Sequence, residues 1–171
     1  DDQILLLSVG ELNNNKNHST VIRVLRGIQN ITYVIVGKGE LEGQLKQIAV
    51  DCGVDLRLPS FRTDVADFYD AADAYVLPSL REGLNVSLME AMACGLPCIA
   101  SKIRGNVDLI DDNNGGFLID SENDIDLSGV IKKLYKNNAL REKFGKHNIR
   151  CIVKFGYNYV QKKMKNIYSI F

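Results

Sequence analysis

Six short apolar runs, each separated from the next by enough chain for one helix, restrict the possible folds more tightly than any other feature of this sequence. They are ILLLSV (4–9), TYVIVG (32–37), VDLRL (54–58), ADAYVLP (72–78), PCIAS (97–101) and GFLI (116–119). Continuous Val, Ile and Leu in short runs marks strands covered on both faces, and helical connections make neighbouring strands parallel. The intervening segments read as helices over about 18–29, from the Gly37-Lys38-Gly39 turn to Cys52, over 64–71, from Glu82 past Glu90, and near 106–110. Asn17 is placed to cap the first of these, and Gly53 to close the second. From Asp124 onward the pattern is helical, with breaks near Asn137-Asn138 and Phe155-Gly156. Right-handed crossovers then give an α/β fold: a Rossmann-like, doubly wound parallel sheet of about six strands with a helical C-terminal segment. At 171 residues the chain fits one domain. It opens on a core strand, which is expected of a piece cut from a longer protein.

Ligands of such sheets bind outside the carboxyl ends of the strands. Gly10, Gly37, Pro59 and the segment Ser79–Asn85 all fall there. In GLNVSLMEAMACGLPCIAS (83–101), Glu90 is the only charge. An unpaired ion in apolar surroundings is costly, so Glu90 is expected to be paired, neutralised or used. Glu82 lies eight residues upstream, where the helix is expected to begin, which sets the two carboxylates roughly 12 Å apart along the axis. Two acids flanking a helix N-terminus, with Gly83 between them, suit a polar ligand. The alternative is a first-turn acid favouring the helix dipole and an internal ion pair.

Lys16 follows the first strand and faces the same edge as Glu82, so a phosphate contact is reasonable there. Gly37-Lys38-Gly39 lacks the rest of a dinucleotide fingerprint, and no GxxxxGK[ST] loop is present. Asp124-Ile125-Asp126 opens a helix, and an acidic N-terminal cap accounts for it. Four cysteines without framework spacing read as reduced core thiols, and His18 and His147 belong to no metal-ligand pattern. No metal is expected. Net charge is zero, but residues 127–171 hold eleven Lys and Arg against the single acid Glu142, while 1–126 carry the acidic excess. That basic end reads as a solvated or body-packed face, or as a contact for anionic headgroups or an acidic partner. Nucleic acid is not expected, since no recognition motif accompanies the charge.

Taken together, SVGELNNNKN, VIVGKGE and PSLREGLNVSLMEAMACGLPCIASKIRGNVDLI resemble a retaining glycosyltransferase of the GT-B fold, similar to the family 4 group. The pair Glu82-x7-Glu90 matches that family's E-x7-E motif. The resemblance implies that residues 1–171 are the C-terminal, nucleotide-sugar-binding half, with the N-terminal acceptor-binding half absent from this chain. It implies a hexosyltransferase-like enzyme acting on a polysaccharide or lipid-linked acceptor, in the cytoplasm or peripheral to the inner membrane leaflet. No cofactor is implied; the donor, a UDP- or GDP-linked sugar, is a substrate, and the halves would act together, leaving this piece alone inactive. Glu82 takes the catalytic place beside the transferred sugar. Glu90 would bind the ribose hydroxyls, and Lys16 the diphosphate. The amides of Gly83, Leu84 and Asn85 would hold sugar hydroxyls and the distal phosphate. Gly10, Glu11, Gly37 and Leu58 would line the rest of the donor site.

Glu11 stands where the family has an arginine, with Arg104 a conceivable substitute, and Ser60 replaces a usual glycine. Glu11 leaves a non-catalytic nucleotide-binding module open as an alternative, and the shared fold leaves a sugar-nucleotide epimerase open as another. Phe155–Phe171 is expected to cross onto the other half.

Overall fold

The computed structural model describes residues 3–121 and 123–168. Its elements are β1 (Ile4–Val9), α1 (His18–Val24), β2 (Ile31–Val36), α2 (Glu42–Cys52), β3 (Asp55–Arg57), α3 (Val65–Ala71), β4 (Ala74–Leu77), α4 (Val86–Ala93), β5 (Cys98–Ser101), β6 (Gly116–Ile119), α5 (Asp124–Tyr135), α6 (Asn138–Ile152) and α7 (Tyr157–Tyr168). Short 3-10 turns occupy Asn14–Lys16 and Val153–Phe155. All six strands join one parallel sheet in the order β3-β2-β1-β4-β5-β6. The order reverses between β1 and β4, which is the switch point where open α/β sheets bind ligands.

Alternation along β1 sends successive side chains to opposite faces, and each face has its own core. Leu6 joins Val21 and Ile22 of α1, Leu45 of α2 and Ile131 of α5. Leu7 joins Tyr69 of α3, Leu88 and Met92 of α4, and Tyr75 of β4. Leu7 and Ile35 are fully buried, and burying each such side chain contributes about 1.5–3 kcal/mol. The central strands, covered on both sides, are therefore rigid supports for the loops at their ends.

Several expectations need correction. α1 stops at Val24, well short of residue 29, because Gly27 turns the chain with φ +75. Residues 106–110 form a chain of turns, held by Asn106 and Ile103 carbonyls, and no helix. α4 begins at Val86, with Asn85 as its cap, so Glu82 and Gly83 lie in the preceding loop. Glu90 then sits about one turn into the helix. The supposed ~12 Å axial offset, which assumed a helix from Glu82, does not hold.

The expected strands all form, each within two residues of its anticipated ends, as do the breaks between α5, α6 and α7. Asn123 caps α5 by accepting from the Asp126 amide, with Asp124 and Asp126 in the first turn, as an acidic cap requires. No described helix is long and apolar enough to cross a membrane.

Candidate functional site

The loops leaving β1 and β4 are stitched together at the switch point. Leu80 donates its amide to the Asn15 carbonyl at 2.8 Å, and the Asn15 side chain donates to the Arg81 carbonyl at 3.0 Å. One residue further along each loop, the Lys16 ammonium donates to Glu82 Oε1 at 2.7 Å. The two side chains are 17% and 12% exposed, so the pair is screened from bulk water yet reachable. Burial by itself would raise the Glu82 carboxyl. Lys16, with lesser help from Ser79 and Asn85, outweighs that and holds it below the usual range. The Ser79 hydroxyl is fully buried and influences Glu82 through space, but it completes no well-formed hydrogen bond.

Lys16 owes its place to local structure. Asn13 accepts from the Lys16 amide and caps the 3-10 turn, and Asn17 follows in the left-handed conformation that asparagine tolerates. Asn17 precedes α1 as expected, but its side chain caps no backbone amide; it accepts from Thr20 instead.

Beyond Glu82, the amides of Gly83, Leu84 and Asn85 take part in no hydrogen bond among the described residues. They run directly into α4, whose positive end favours an anion. A side chain at Gly105 would collide with the Gly83 carbonyl, and Gly105 has φ +92. Close approach and a left-handed backbone thus both require glycine there, and the exposed Arg104 is carried to the loop's edge by the same contact.

Three tyrosine hydroxyls fix the parts. Tyr75, from β4, donates to Ser87 Oγ at 2.7 Å and approaches the Val9 carbonyl at 3.4 Å. It thereby ties the start of α4 to the end of β1. Ser87 in turn donates to the Asn85 cap. Tyr69, from α3, donates to Glu90 Oε2 at 2.9 Å and to the Ser87 carbonyl. Tyr33 does the corresponding work on the opposite face of the sheet. Burial pushes all three hydroxyls upward in pKa, so each stays a neutral donor.

Glu90 has the partner expected of it, the Tyr69 hydroxyl, but it is exposed and does not lie in apolar surroundings. Its neighbours in sequence are apolar because Leu88, Ala91 and Met92 face the core; Glu90 occupies the outward stripe of the same helix. It is positioned by Tyr69 and is open to a ligand.

Next to these groups, a cleft of about 690 Å³ opens at the ends of β1 and β2. Gly10, Glu11 and Gly37 line it, with Phe61 and Val65 from the far side. A side chain at Gly37 would strike the Gly10 carbonyl, so the two strand exits pack backbone to backbone. Leu58 follows β3 and packs partly buried against the core, outside the lining of this cleft. Of the residues singled out in the sequence, Lys16, Glu82, Gly83, Leu84 and Asn85 meet at the switch point. Glu90 stands one helical turn behind them. Gly10, Glu11 and Gly37 form the adjoining cleft. Tyr69, Tyr75 and Phe61 were not anticipated. Two of them carried a readable signal, since a tyrosine inside an apolar run needs a partner for its hydroxyl.

The reversal at the switch point, with a cation, a carboxylate and free amides around it, defines a doubly wound domain equipped for an anionic ligand with hydroxyls nearby. The chain belongs to the glycosyl transferases group 1 family, whose profile matches residues 1–150. It is 36% identical over 147 residues to the UDP-Gal:alpha-D-GlcNAc-diphosphoundecaprenol alpha-1,3-galactosyltransferase of Escherichia coli, covering 82% of this chain and 37% of that protein. It is 29% identical over its whole length to the putative glycosyltransferase EpsD of Bacillus subtilis, covering 46% of it. Among solved structures, Anabaena Alr3699/HepE in complex with UDP superposes with a TM-score of 0.91 at 19% identity, covering 99% of this chain and 50% of that one. WaaG, a glycosyltransferase involved in lipopolysaccharide biosynthesis, superposes at 0.81 with 26% identity, covering 88% and 42%. The chain thus spans less than half the length of these two curated relatives.

Proposed function

We propose that this chain is the donor-binding half of a retaining glycosyltransferase and that its switch point holds a nucleoside-diphosphate sugar. The observation that carries this reading is the Lys16–Glu82 pair set against the free amides of Gly83, Leu84 and Asn85. Lys16 neutralises the diphosphate leaving group, and the amides bind its distal phosphate. Glu82 accepts hydrogen bonds from hydroxyls of the transferred sugar and stabilises positive charge near the anomeric carbon. Glu90 accepts from the ribose hydroxyls, held in aim by Tyr69. The base enters the cleft beside Gly10, Glu11 and Gly37, with the backbone at Leu58 on its border. Lys16 and the helix dipole supply the charge stabilisation that a divalent ion supplies elsewhere, so the reaction is expected to need no metal or cofactor. Glycosyl transfer requires a second, acceptor-binding half, and the acceptor is a polysaccharide or lipid-linked sugar. The E. coli relative's diphosphoundecaprenol acceptor supports that class.

α7 supports a partner half as well. It buries no residue, and exposes Tyr157, Val160, Met164 and Ile167 along one side. A helix with such a stripe is stable only against another surface. The expected crossing segment runs on to Phe171, whose last three residues lie outside the described ones. Lys162, Lys163 and Lys165 on the remaining surface suit anionic headgroups at the inner leaflet in the cytoplasm, where a lipid-linked acceptor would be met.

Calorimetric titration with UDP, GDP and ADP, on the chain and on Glu90→Ala, tests the reading. One nucleotide is expected to bind and to lose affinity in the variant. Binding of none at millimolar concentration would remove the donor role from this chain.

A further inference from the structure

His18 is fully enclosed at the start of α1, two residues after Lys16, and no role described so far uses it. Its Nδ1 lies 3.0 Å from the Tyr33 hydroxyl. That hydroxyl lies 2.8 Å from Ser8 Oγ, and Ser8 Oγ lies 2.6 Å from the Val76 carbonyl. The direction of the whole chain follows from its last member. A carbonyl only accepts, so Ser8 spends its proton on Val76. The Tyr33 hydroxyl must then donate to Ser8, and its oxygen is left to accept. Only Nδ1–H of His18 can supply that proton. That direction assigns the imidazole the Nδ1–H tautomer, and the buried Nε2 completes no well-formed hydrogen bond.

The chain of bonds runs from β4 through β1 and β2 to the first residue of α1. It thus crosses the same switch point as the Lys16–Glu82 pair, underneath it. Asn13 fixes the Lys16 backbone from one side, and His18 anchors the residues that follow. Between the two anchors the lysine stem runs along Gly10 toward Glu82.

We infer that His18 is a positioning residue for the donor site, which, working through the Ser8–Tyr33 relay and the Asn14–Lys16 turn, sets the Lys16 ammonium at the place of the diphosphate. The inference rests on the donor reading for its ligand, but not for its geometry. The neutral state of His18 belongs to the device: a second positive charge beside Lys16 would oppose the cation it positions. Burial first, and Lys16 second, outweigh an upward pull from the Glu11 backbone and keep the ring neutral, lowering its pKa to about 4.

The test compares His18→Leu with His18→Asn, each with and without Lys16→Met. Asparagine places an amide donor where Nδ1–H stood; leucine leaves the Tyr33 oxygen without one. UDP affinity is expected to fall roughly tenfold in His18→Leu, to return in His18→Asn, and to show no further loss from His18→Leu once Lys16 is gone. Equal losses in both lysine backgrounds, or none in either, would overturn the inference. Tyr33→Phe removes the accepting oxygen while keeping the ring, and serves if His18→Leu does not fold. A second readout needs no nucleotide: the ammonium NMR signal of Lys16, slowed in exchange by its carboxylate, is expected to vanish in His18→Leu and persist in His18→Asn. An unchanged signal in His18→Leu refutes the positioning role, whereas a chain that binds no UDP but shows the loss refutes only the donor reading.

Discussion

Lys16 and Glu82 meet at 2.7 Å although 66 residues separate them in the chain. The contact closes the switch point, and each group occupies the other. In the proposed donor complex a diphosphate would give Lys16 a doubly charged partner and leave the carboxylate free for sugar hydroxyls. Lys16→Met is therefore expected to weaken UDP by roughly 10- to 100-fold and UMP by much less, since UMP lacks the distal phosphate. Calorimetry with both nucleotides checks the ratio.

The pair also makes folding sensitive to acid. The folded pKa of Glu82 is depressed, so its contribution to stability is fully present above the ordinary carboxylate pKa. It is lost as pH falls through the lower, folded value. Chemical denaturation from pH 6 down to pH 3 is expected to show a shallower decline in Glu82→Gln than in the wild type. A parallel decline would mean that Lys16 does not favour the charged carboxylate.

His18 acts in a different window. Its pKa is about 6.5 in the unfolded chain and about 4 when folded. Between those values the unfolded chain binds a proton that the folded one refuses, so stability falls as the pH drops from 6.5 toward 4. The full effect is about 3 kcal/mol. His18→Asn is expected to lose this slope and to be relatively more stable at pH 4 than at pH 7. Urea midpoints at the two pH values read it directly.

Gly105→Ala is expected to destabilise the fold by about 2 kcal/mol and to disturb nucleotide binding out of proportion. Its side chain would meet the Gly83 carbonyl at a position with φ +92. The displaced segment carries the amides that the proposed donor site assigns to the distal phosphate. Gly43→Ala, at a helical position with open space around it, is the control expected to be neutral or slightly stabilising.

Tyr69→Phe removes the donor that aims Glu90 while keeping the ring in its core. Nucleotide affinity is expected to drop about three- to tenfold, and the melting temperature by only a few degrees. Glu90→Ala should lower affinity more than Tyr69→Phe does. Because Glu90 is exposed, it should leave stability within about 0.5 kcal/mol of wild type.

The sheet was legible because its strands are apolar on both faces, and ILLLSV or PCIAS can hardly be anything else when bounded by glycine and proline. Lys16 and Glu82 were legible as neighbours because both follow strands at one edge, so topology alone brings them together. Glu90 was misplaced for a physical reason. Composition reports what surrounds a residue in sequence, while exposure depends on which stripe of the helix it occupies, and α4 begins four residues later than Glu82 suggests. The Ser8–Tyr33–His18 relay was unreadable as a relay, since its three members lie on separate elements. Serine and tyrosine inside strands were nevertheless visible as hydroxyls in need of partners.

Tyr75 holds the Val9 carbonyl and Ser87 in one grip. The end of β1 and the first turn of α4 therefore cannot open independently: releasing either one breaks the same hydroxyl's contacts. Amide protons at the strand exit and the first bonded amides of the helix, Leu88 and Met89, should exchange with solvent as a single cooperative unit, at the slow pace of the sheet interior and not at that of surface loops. The chain's ligand edge is in this sense already assembled, and only its rim, where Phe61 and Arg104 stand in solvent, is left without such a tie.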